Sequence, residues 1–345
     1  MLSLGFHINM ANIKKTPTIY DVAKLSGVSI STISRVLNSP DMVNPDTRQL
    51  VMSAIDRLGF VPKAEARARA MQSTNRIGVI TPFFTAPSFV QRLRGVAGRL
   101  SRENYELVVY PVDSEEQLQG YLSSIPVMRN LDGLIIMSLA VESHDVKRLL
   151  SNKMETVLIE FSHEQLNSIV IDDFQGGRLV AEHLIQKGYK SFGFLGDIEP
   201  PERNIIHPVR SRLDGFKSVL KDAGLQLSSK NIKQAFYAHE SSREAAHELL
   251  TMPDRPSAIF AASDNQALSI MKVARQLNMR IPDDVAVVGF DDIDMADYVD
   301  LTTVRQHLDE SGRLSAEMVL GRIADPSRAT QHIYLPLNLI ERQTT

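Results

Sequence analysis

The residue types in this chain favour polar recognition over covalent chemistry. There is no cysteine, so disulfides and thiolate nucleophiles are excluded, and a reducing compartment such as the cytoplasm is compatible. The nine histidines are scattered, with no H-x-x-x-H pair, and neither a G-x-S-x-G elbow nor a P-loop occurs. Asp291, Asp292, Asp294, Asp297 and Asp300 lie close together, but they lack the turn glycine and closing glutamate of a calcium loop. They read as a solvated acidic loop. No catalytic residue, cofactor or metal site is expected. What stands out instead is one short surface: Ile30, Ser31, Thr32, Ser34 and Arg35. Small hydroxyls, one apolar group and a fork-shaped cation suit base edges and phosphates.

That surface needs a helix to carry it. Thr18 is a plausible N-cap, with Asp21 three residues on, and Ile19, Val22 and Ala23 share one face. Ser26-Gly27 breaks the helix, and Gly27 supplies the positive φ of a tight turn. Ser29 caps a second helix whose inward stripe is Ile33, Val36 and Leu37. Asn44 and Pro45 start a third, with Leu50, Val51, Ala54, Ile55 and Leu58 as its apolar stripe and Gly59 at its end. The pattern predicts a helix-turn-helix over residues 16–60. By itself it also fits a three-helix module that binds no DNA.

Residues 61–75 form a basic, Ala-rich bridge. Beyond it, apolar runs alternate with helix patterns: Ile77–Phe83, Glu106–Val112, Gly133–Ser138, Thr156–Phe161, Ile169–Asp172, Phe192–Gly196, Ile259–Ala262 and Val285–Phe290. This alternation predicts an α/β region of parallel sheets flanked by helices. Residues 76–345 exceed what one lobe usually needs, so two lobes with a cleft are expected. Ligands of such folds sit at the carboxyl ends of strands. Several ends carry polar or aromatic groups: Phe83-Phe84, Glu160-Phe161, Asp172-Asp173, Ser263-Asp264 and Asp291-Asp292. Asp172-Asp173 reads as an N-cap. The phenylalanines fit either a core or a stacking platform. No short repeat is evident.

The 345 residues carry a net charge of −3, yet the first 72 hold nine Lys/Arg against five Asp/Glu. A basic head on an acidic body fits a phosphate-facing end. No apolar run reaches the ~18 residues of a membrane span. The first 13 residues lack the basic start and cleavage pattern of a signal peptide. Residues 1–15 are expected to be a disordered extension, and Met10 offers an alternative start.

The blocks now in view resemble the lactose-repressor (LacI/GalR) family. Thr18–Asn38 carries D-V-A, G-V-S, S-R-V and L-N elements in the family's register. The likeness continues through Asn44-Pro-Asp-Thr-Arg48, Gly59-Phe-Val-Pro62, Ile77-Gly-Val-Ile80, Asp132-Gly-Leu-Ile135, Arg212-Leu-Asp-Gly-Phe216, Ser263-Asp264, Val288-Gly-Phe-Asp-Asp292 and Leu301-Thr-Thr-Val304. The resemblance implies a helix-turn-helix head, a hinge helix, and a two-lobed sensor like a periplasmic binding protein. It implies a homodimer, or a tetramer built from dimers, on a pseudo-palindromic double-stranded DNA operator. By position it puts Ile30, Ser31 and Arg35 at bases, and Thr18, Tyr20, Thr32, Ser34 and Asn38 at phosphates. In the hinge, Arg67 and Arg69 follow Ala66; Arg69 stands where the family usually has a leucine that wedges into the minor groove.

The resemblance also implies an effector pocket. Arg212 is the strongest match, with a fork suited to two hydroxyls or a carboxylate. Asp291 would accept paired sugar hydroxyls, or cap a following turn. Ser263 and Glu160 take places where Asn and Asp are common; Phe89, Tyr237 and Gln306 are weaker candidates. The loop Gly196–Val209 is longer than usual and borders the cleft. The expected function is an effector-controlled transcription regulator, a repressor of carbohydrate or related catabolic genes, with a sugar, sugar derivative or nucleoside-like polar compound as effector. The alternative is a sugar-binding protein without DNA-binding activity, which the head and the missing signal peptide oppose.

Overall fold

The computed structural model describes residues 17–38, 43–60, 73–198, 205–206, 208–235 and 239–345, without the side chains of Asn38 and His239. The expectations for residues 1–15, Arg67, Arg69 and Tyr237, and for the Asn38 side chain, lie outside them. The chain divides into two compact units, Met1–Thr74 and Asn75–Thr345.

In the first unit, α1 (Ile19–Ser26), α2 (Ile30–Asn38) and α3 (Pro45–Leu58) enclose Val22, Ile33, Val36, Val51, Ala54 and Ile55. Asp21 accepts from both the backbone N–H and the hydroxyl of Thr18, at 2.8 and 2.7 Å, and fixes the start of α1. Gly27 adopts φ 69°, which lets the chain reverse tightly into α2. The Ser29 hydroxyl accepts from Thr32 N–H, and Asn44 caps α3 through Asp46 N–H. One expectation needs correction: Leu50 is 51% exposed. The inward stripe of α3 is narrower and runs through Val51, Ala54 and Ile55, with Leu58 packed against it.

The second unit is α/β, as its alternating runs predict. Lobe 1 holds β1 (Arg76–Thr81), β2 (Glu106–Pro111), β3 (Gly133–Met137), β4 (Glu155–Ile159), β5 (Asn167–Val170) and β11 (His332–Tyr334). These form a parallel sheet in the order β11-β5-β4-β3-β1-β2. Its helices are α4 (Pro87–Leu100), α5 (Glu115–Met128), α6 (Ser143–Ser151) and α12 (Leu308–Ala324). Lobe 2 holds β6 (Phe192–Gly196), β7 (Ile232–Gln234), β8 (Ala258–Ala261) and β9 (Ala286–Val288), parallel in the order β7-β6-β8-β9. Its helices are α7 (Asp173–Gln186), α8 (Val209–Asp222), α9 (His239–Thr251), α10 (Asp264–Gln276) and the short α11 (Asp294–Tyr298). The antiparallel pair β10 (Thr303–Arg305) and β12 (Asn338–Ile340) extends lobe 2 beyond β9, where Val304 joins the lobe core.

Both sheets therefore run second-first-third-fourth, which puts a switch point at the carboxyl end of the first and third strands of each lobe. The chain passes between lobes three times: between β5 and α7, between β10 and α12, and between β11 and β12. The second crossover contains Gln306 and His307.

Each lobe also contains one close helix crossing. A Cβ on Gly95 of α4 would lie 2.0 Å from the Asp309 carbonyl, and one on Gly215 of α8 would lie 1.9 Å from the Phe174 carbonyl. Facing glycines, Gly312 and Gly177, receive the carbonyls of Arg92 and Arg212 in the same way. The two crossings expose a repeat that the sequence reading overlooks: Arg92-Leu-Arg-Gly95-Val in lobe 1 and Arg212-Leu-Asp-Gly215-Phe in lobe 2.

Candidate functional site

In the head, α2 buries Ile33 and Val36 and turns Ile30, Ser31 and Arg35 outward. Ser29 holds the hydroxyls of Ser31 and Thr32 at 2.8 and 2.9 Å, so three small polar groups form one cluster at the start of the helix. Tyr20 projects from α1 at 70% exposure, while Thr32 and Ser34 are half-buried. Ile30, Ser31 and Arg35 thus share an open face led by a helix N-terminus, which favours phosphate.

In the second unit, the polar strand ends of the two lobes meet. Phe83, Ser138, Glu160, Asp291 and Asp292, which follow strands in this region, have positive φ (46°, 55°, 66°, 124° and 56°). Such conformations are costly for residues with a Cβ and concentrate at functional sites. On lobe 1, the Glu160 carboxylate accepts from the Ser138 hydroxyl and from Arg92 Nη2. Arg92 Nη2 also donates to Gln306 Oε1 at 3.0 Å, and Gln306 Nε2 donates to Asp291 on lobe 2. Ser138, Glu160, Arg92, Gln306 and Asp291 are therefore one hydrogen-bonded chain across the lobes, with Gln306 on the crossover. Nearby, Arg212 Nε donates to Asp173 at 2.8 Å, Arg212 Nη1 donates to the Ala262 carbonyl at 2.6 Å, and the guanidinium lies 3.6 Å from the centroid of the Phe290 ring.

Burial decides the electrostatics. It pushes the Asp291 carboxyl up to about 7, although Arg212, Arg92 and Gln306 oppose the rise. Burial works against Glu160 too, but Arg92 and the Ser138 hydroxyl outweigh it and hold Glu160 below the ordinary glutamate range. Burial would also lower Arg212, yet Asp173 and Asp291 overcompensate, and its guanidinium stays charged. Asp264 is pushed well above the usual carboxylate range by burial and by Asp291.

Glu160, Arg212, Asp291 and Gln306 are thus brought together. Phe89 is not a free platform: it is buried in the lobe-1 core, edge-on to Phe83 and 5.8 Å beneath the Arg92 guanidinium. Ser263 caps α10 through Gln266 N–H, so its hydroxyl is engaged locally. Phe83 and Phe84 are partly exposed, while Phe161 packs on the lobe-1 core. Asp291 does not cap the following turn; Asp264 does, accepting from Ile293 N–H at 2.9 Å.

The acidic loop is solvated only in part: Asp294, Asp297 and Asp300 are exposed, as expected, but its first two acids are not. Asp291 is buried, Asp292 is held by Arg305 and Arg342 at 2.6 and 2.8 Å, and Asp294 pairs with Arg94 at 2.6 Å. Of the two adjacent acids at the start of α7, only Asp172 caps the helix; Asp173 turns inward to Arg212. The sequence reading missed Arg92, Asp173 and Ser138. A signal for Arg92 existed, because it falls on the same face of α4 as Phe89, Val96 and Leu100.

The described part of the long Gly196–Val209 loop reaches lobe 1. Ile205 bridges to Leu139 and packs on the lobe-1 core, and Ile206 N–H donates to the Ser138 carbonyl at 2.9 Å. This strap is thus bonded to Ser138, whose hydroxyl donates to Glu160.

Comparison with known proteins agrees with this architecture. The family described as bacterial regulatory proteins, lacI family, matches residues 18–63, and a periplasmic binding protein-like domain matches residues 181–345. The ribose operon repressor of Escherichia coli (strain K12) is 30% identical over 332 residues, covering 94% of this chain and 98% of that protein. Catabolite control protein A of Priestia megaterium is 30% identical over 334 residues, covering 95% and 99%. Among solved structures, a LacI-family regulator from Silicibacter pomeroyi superposes with a TM-score of 0.80 at 26% identity, covering 95% of this chain and 99% of that one. The lac repressor dimer bound to operator and the anti-inducer ONPF gives 0.76 at 25% identity, covering 96% and 99%. The helix-turn-helix head, the two-lobed sensor and these relatives together show that the chain belongs to the lacI family of bacterial transcription regulators.

Proposed function

We propose that the chain binds a pseudo-palindromic operator as a homodimer, through α2 in the major groove, and that a sugar or related polyhydroxyl compound in the interlobe cleft controls that binding. The observation that carries the effector reading is the meeting of Glu160, Arg212, Asp291 and Gln306 at the strand ends. Carboxylates accept sugar hydroxyl donors, guanidinium N–H groups donate to sugar oxygens, and partly exposed Phe83 and Phe84 offer ring faces. Relatives point the same way: one is a ribose operon repressor, and solved neighbours include a LacI-family regulator from Enterococcus faecium with bound ribose and CelR with cellobiose. Ile30, Ser31 and Arg35 read bases, Thr18, Tyr20, Thr32, Ser34 and Asn38 hold phosphates, and Arg67 and Arg69 add hinge contacts. The strap at Ile205–Ile206 limits effector length on the lobe-1 side. No catalytic step is assigned. The test is Arg212→Ala in an operator-binding assay with a sugar panel. The expected result is loss of the effector response with operator binding intact; joint loss of both would make Arg212 purely structural.

A further inference from the structure

The Arg-Leu-x-Gly repeat places one arginine of each lobe in the same local setting. In each lobe the arginine stands three residues before the glycine of the close crossing, so the crossing fixes where the guanidinium emerges. In each lobe it faces a phenylalanine, Phe89 for Arg92 and Phe290 for Arg212. In each lobe one carboxylate neutralises it, Glu160 for Arg92 and Asp173 for Arg212. Arg92 is 3% exposed, and its Nε is buried with no hydrogen-bond partner. A buried guanidinium donor without a partner is costly, so the arginine is held there against its own hydrogen-bonding needs.

We propose that Arg92 and Glu160 are the lobe-1 counterpart of Arg212 and Asp173, that the pair contacts the effector directly, and that the two self-neutralised pairs restrict the effector to an uncharged polyhydroxyl compound. This rests on the effector reading above. Neither guanidinium is left without a counter-charge, and Asp291 is a further acid beside them. An anionic effector would enter next to the ionised Glu160 and Asp173 with no uncompensated cation to meet it, and its desolvation would go unrepaid. An uncharged polyol offers hydroxyl donors to Glu160 and Asp291 and oxygen acceptors to the two arginines, without adding charge. The Ser138 hydroxyl holds Glu160 on its far oxygen, so the carboxylate is oriented before the ligand arrives.

The test uses the full chain, calorimetry, and a panel of neutral pentoses, hexoses and disaccharides, each beside its aldonic acid and its phosphate ester. The expected result is that at least one neutral member binds, and that its acid and phosphate counterparts bind at least about tenfold more weakly. Glu160→Gln leaves Arg92 without its counter-charge and narrows or reverses that ratio. The double variant Arg92→Met/Glu160→Gln removes both charges together, so no buried charge is orphaned. It retains a cooperative thermal unfolding transition and weakens the neutral ligand at least about tenfold. Tighter binding of the acid or phosphate by the unaltered protein overturns the inference and leaves the effector reading standing. Unchanged neutral-ligand affinity in the folded double variant overturns the direct contact. Binding of no member overturns the effector reading itself.

Discussion

Asp291 follows β9 at φ 124°, a conformation that a residue with a Cβ adopts at a cost, and its carboxyl is buried. It ionises near 7 in the fold against 3.8 for a free aspartate. A raised folded value means that the fold favours the protonated acid. That contribution is fully present below about pH 4 and is lost as pH climbs through about 7. The protein should therefore lose stability relative to Asp291→Asn over this window, in thermal melts at fixed ionic strength; parallel curves would contradict it. Gly215 supplies a second residue-scale prediction. A methyl group 1.9 Å from the Phe174 carbonyl must push α7 from α8. Gly215→Ala should destabilise by about 1–3 kcal/mol in denaturant unfolding, as overpacked sites do. At this scale Arg212 and Asp291 were legible because they sit in recognisable blocks. Arg92 and Asp173 were not. An arginine in an apolar stripe normally snorkels outward, and of two adjacent acids sequence cannot tell which one turns inward.

At the scale of elements, the eight apolar strand runs were readable because buried parallel strands are almost continuously apolar. The missed ones, β7, β10, β11 and β12, are three residues each, and segments such as His332-Ile-Tyr334 and Asn338-Leu-Ile340 mix polar and apolar groups. Their pairing is set by partners distant in sequence, which no local pattern encodes. The predicted strands also ran too long at Phe83, Ser138 and Glu160, where the chain enters positive φ. The helices of the head were legible through their caps. Arg35 lies exposed on α2, opposite Ile33 and Val36. Arg35→Ala should cost about 1–3 kcal/mol against the cognate operator and relax one base position. Equal weakening on all sequences would make it a phosphate contact. In the proposed hinge, a guanidinium at Arg69 resists insertion between stacked bases but suits a narrow, A·T-rich minor groove. Arg69→Leu should increase the operator bend in a circular-permutation gel assay and make the salt slope shallower by about one unit. Equal bends would remove Arg69 from the geometry.

For the whole molecule, one three-helix head offers little surface for tight, specific binding, which is why a two-fold pair of heads is proposed. Light scattering at micromolar concentration should give a dimer, and a monomer both with and without DNA would contradict this. The three crossovers and the Arg92–Gln306–Asp291 connection make the cleft the place where a ligand could change how the lobes sit. A ligand shifts that equilibrium only through different affinity for its two states, so the proposed effector control requires that operator affinity change when the ligand binds. The most direct measurement is fluorescence anisotropy of an operator selected from random DNA, titrated with the full chain with and without the cleft ligand found by calorimetry. A change in operator affinity of about tenfold or more, abolished by Arg212→Ala, is the predicted result. An operator affinity that stays the same while the cleft is saturated would contradict effector control.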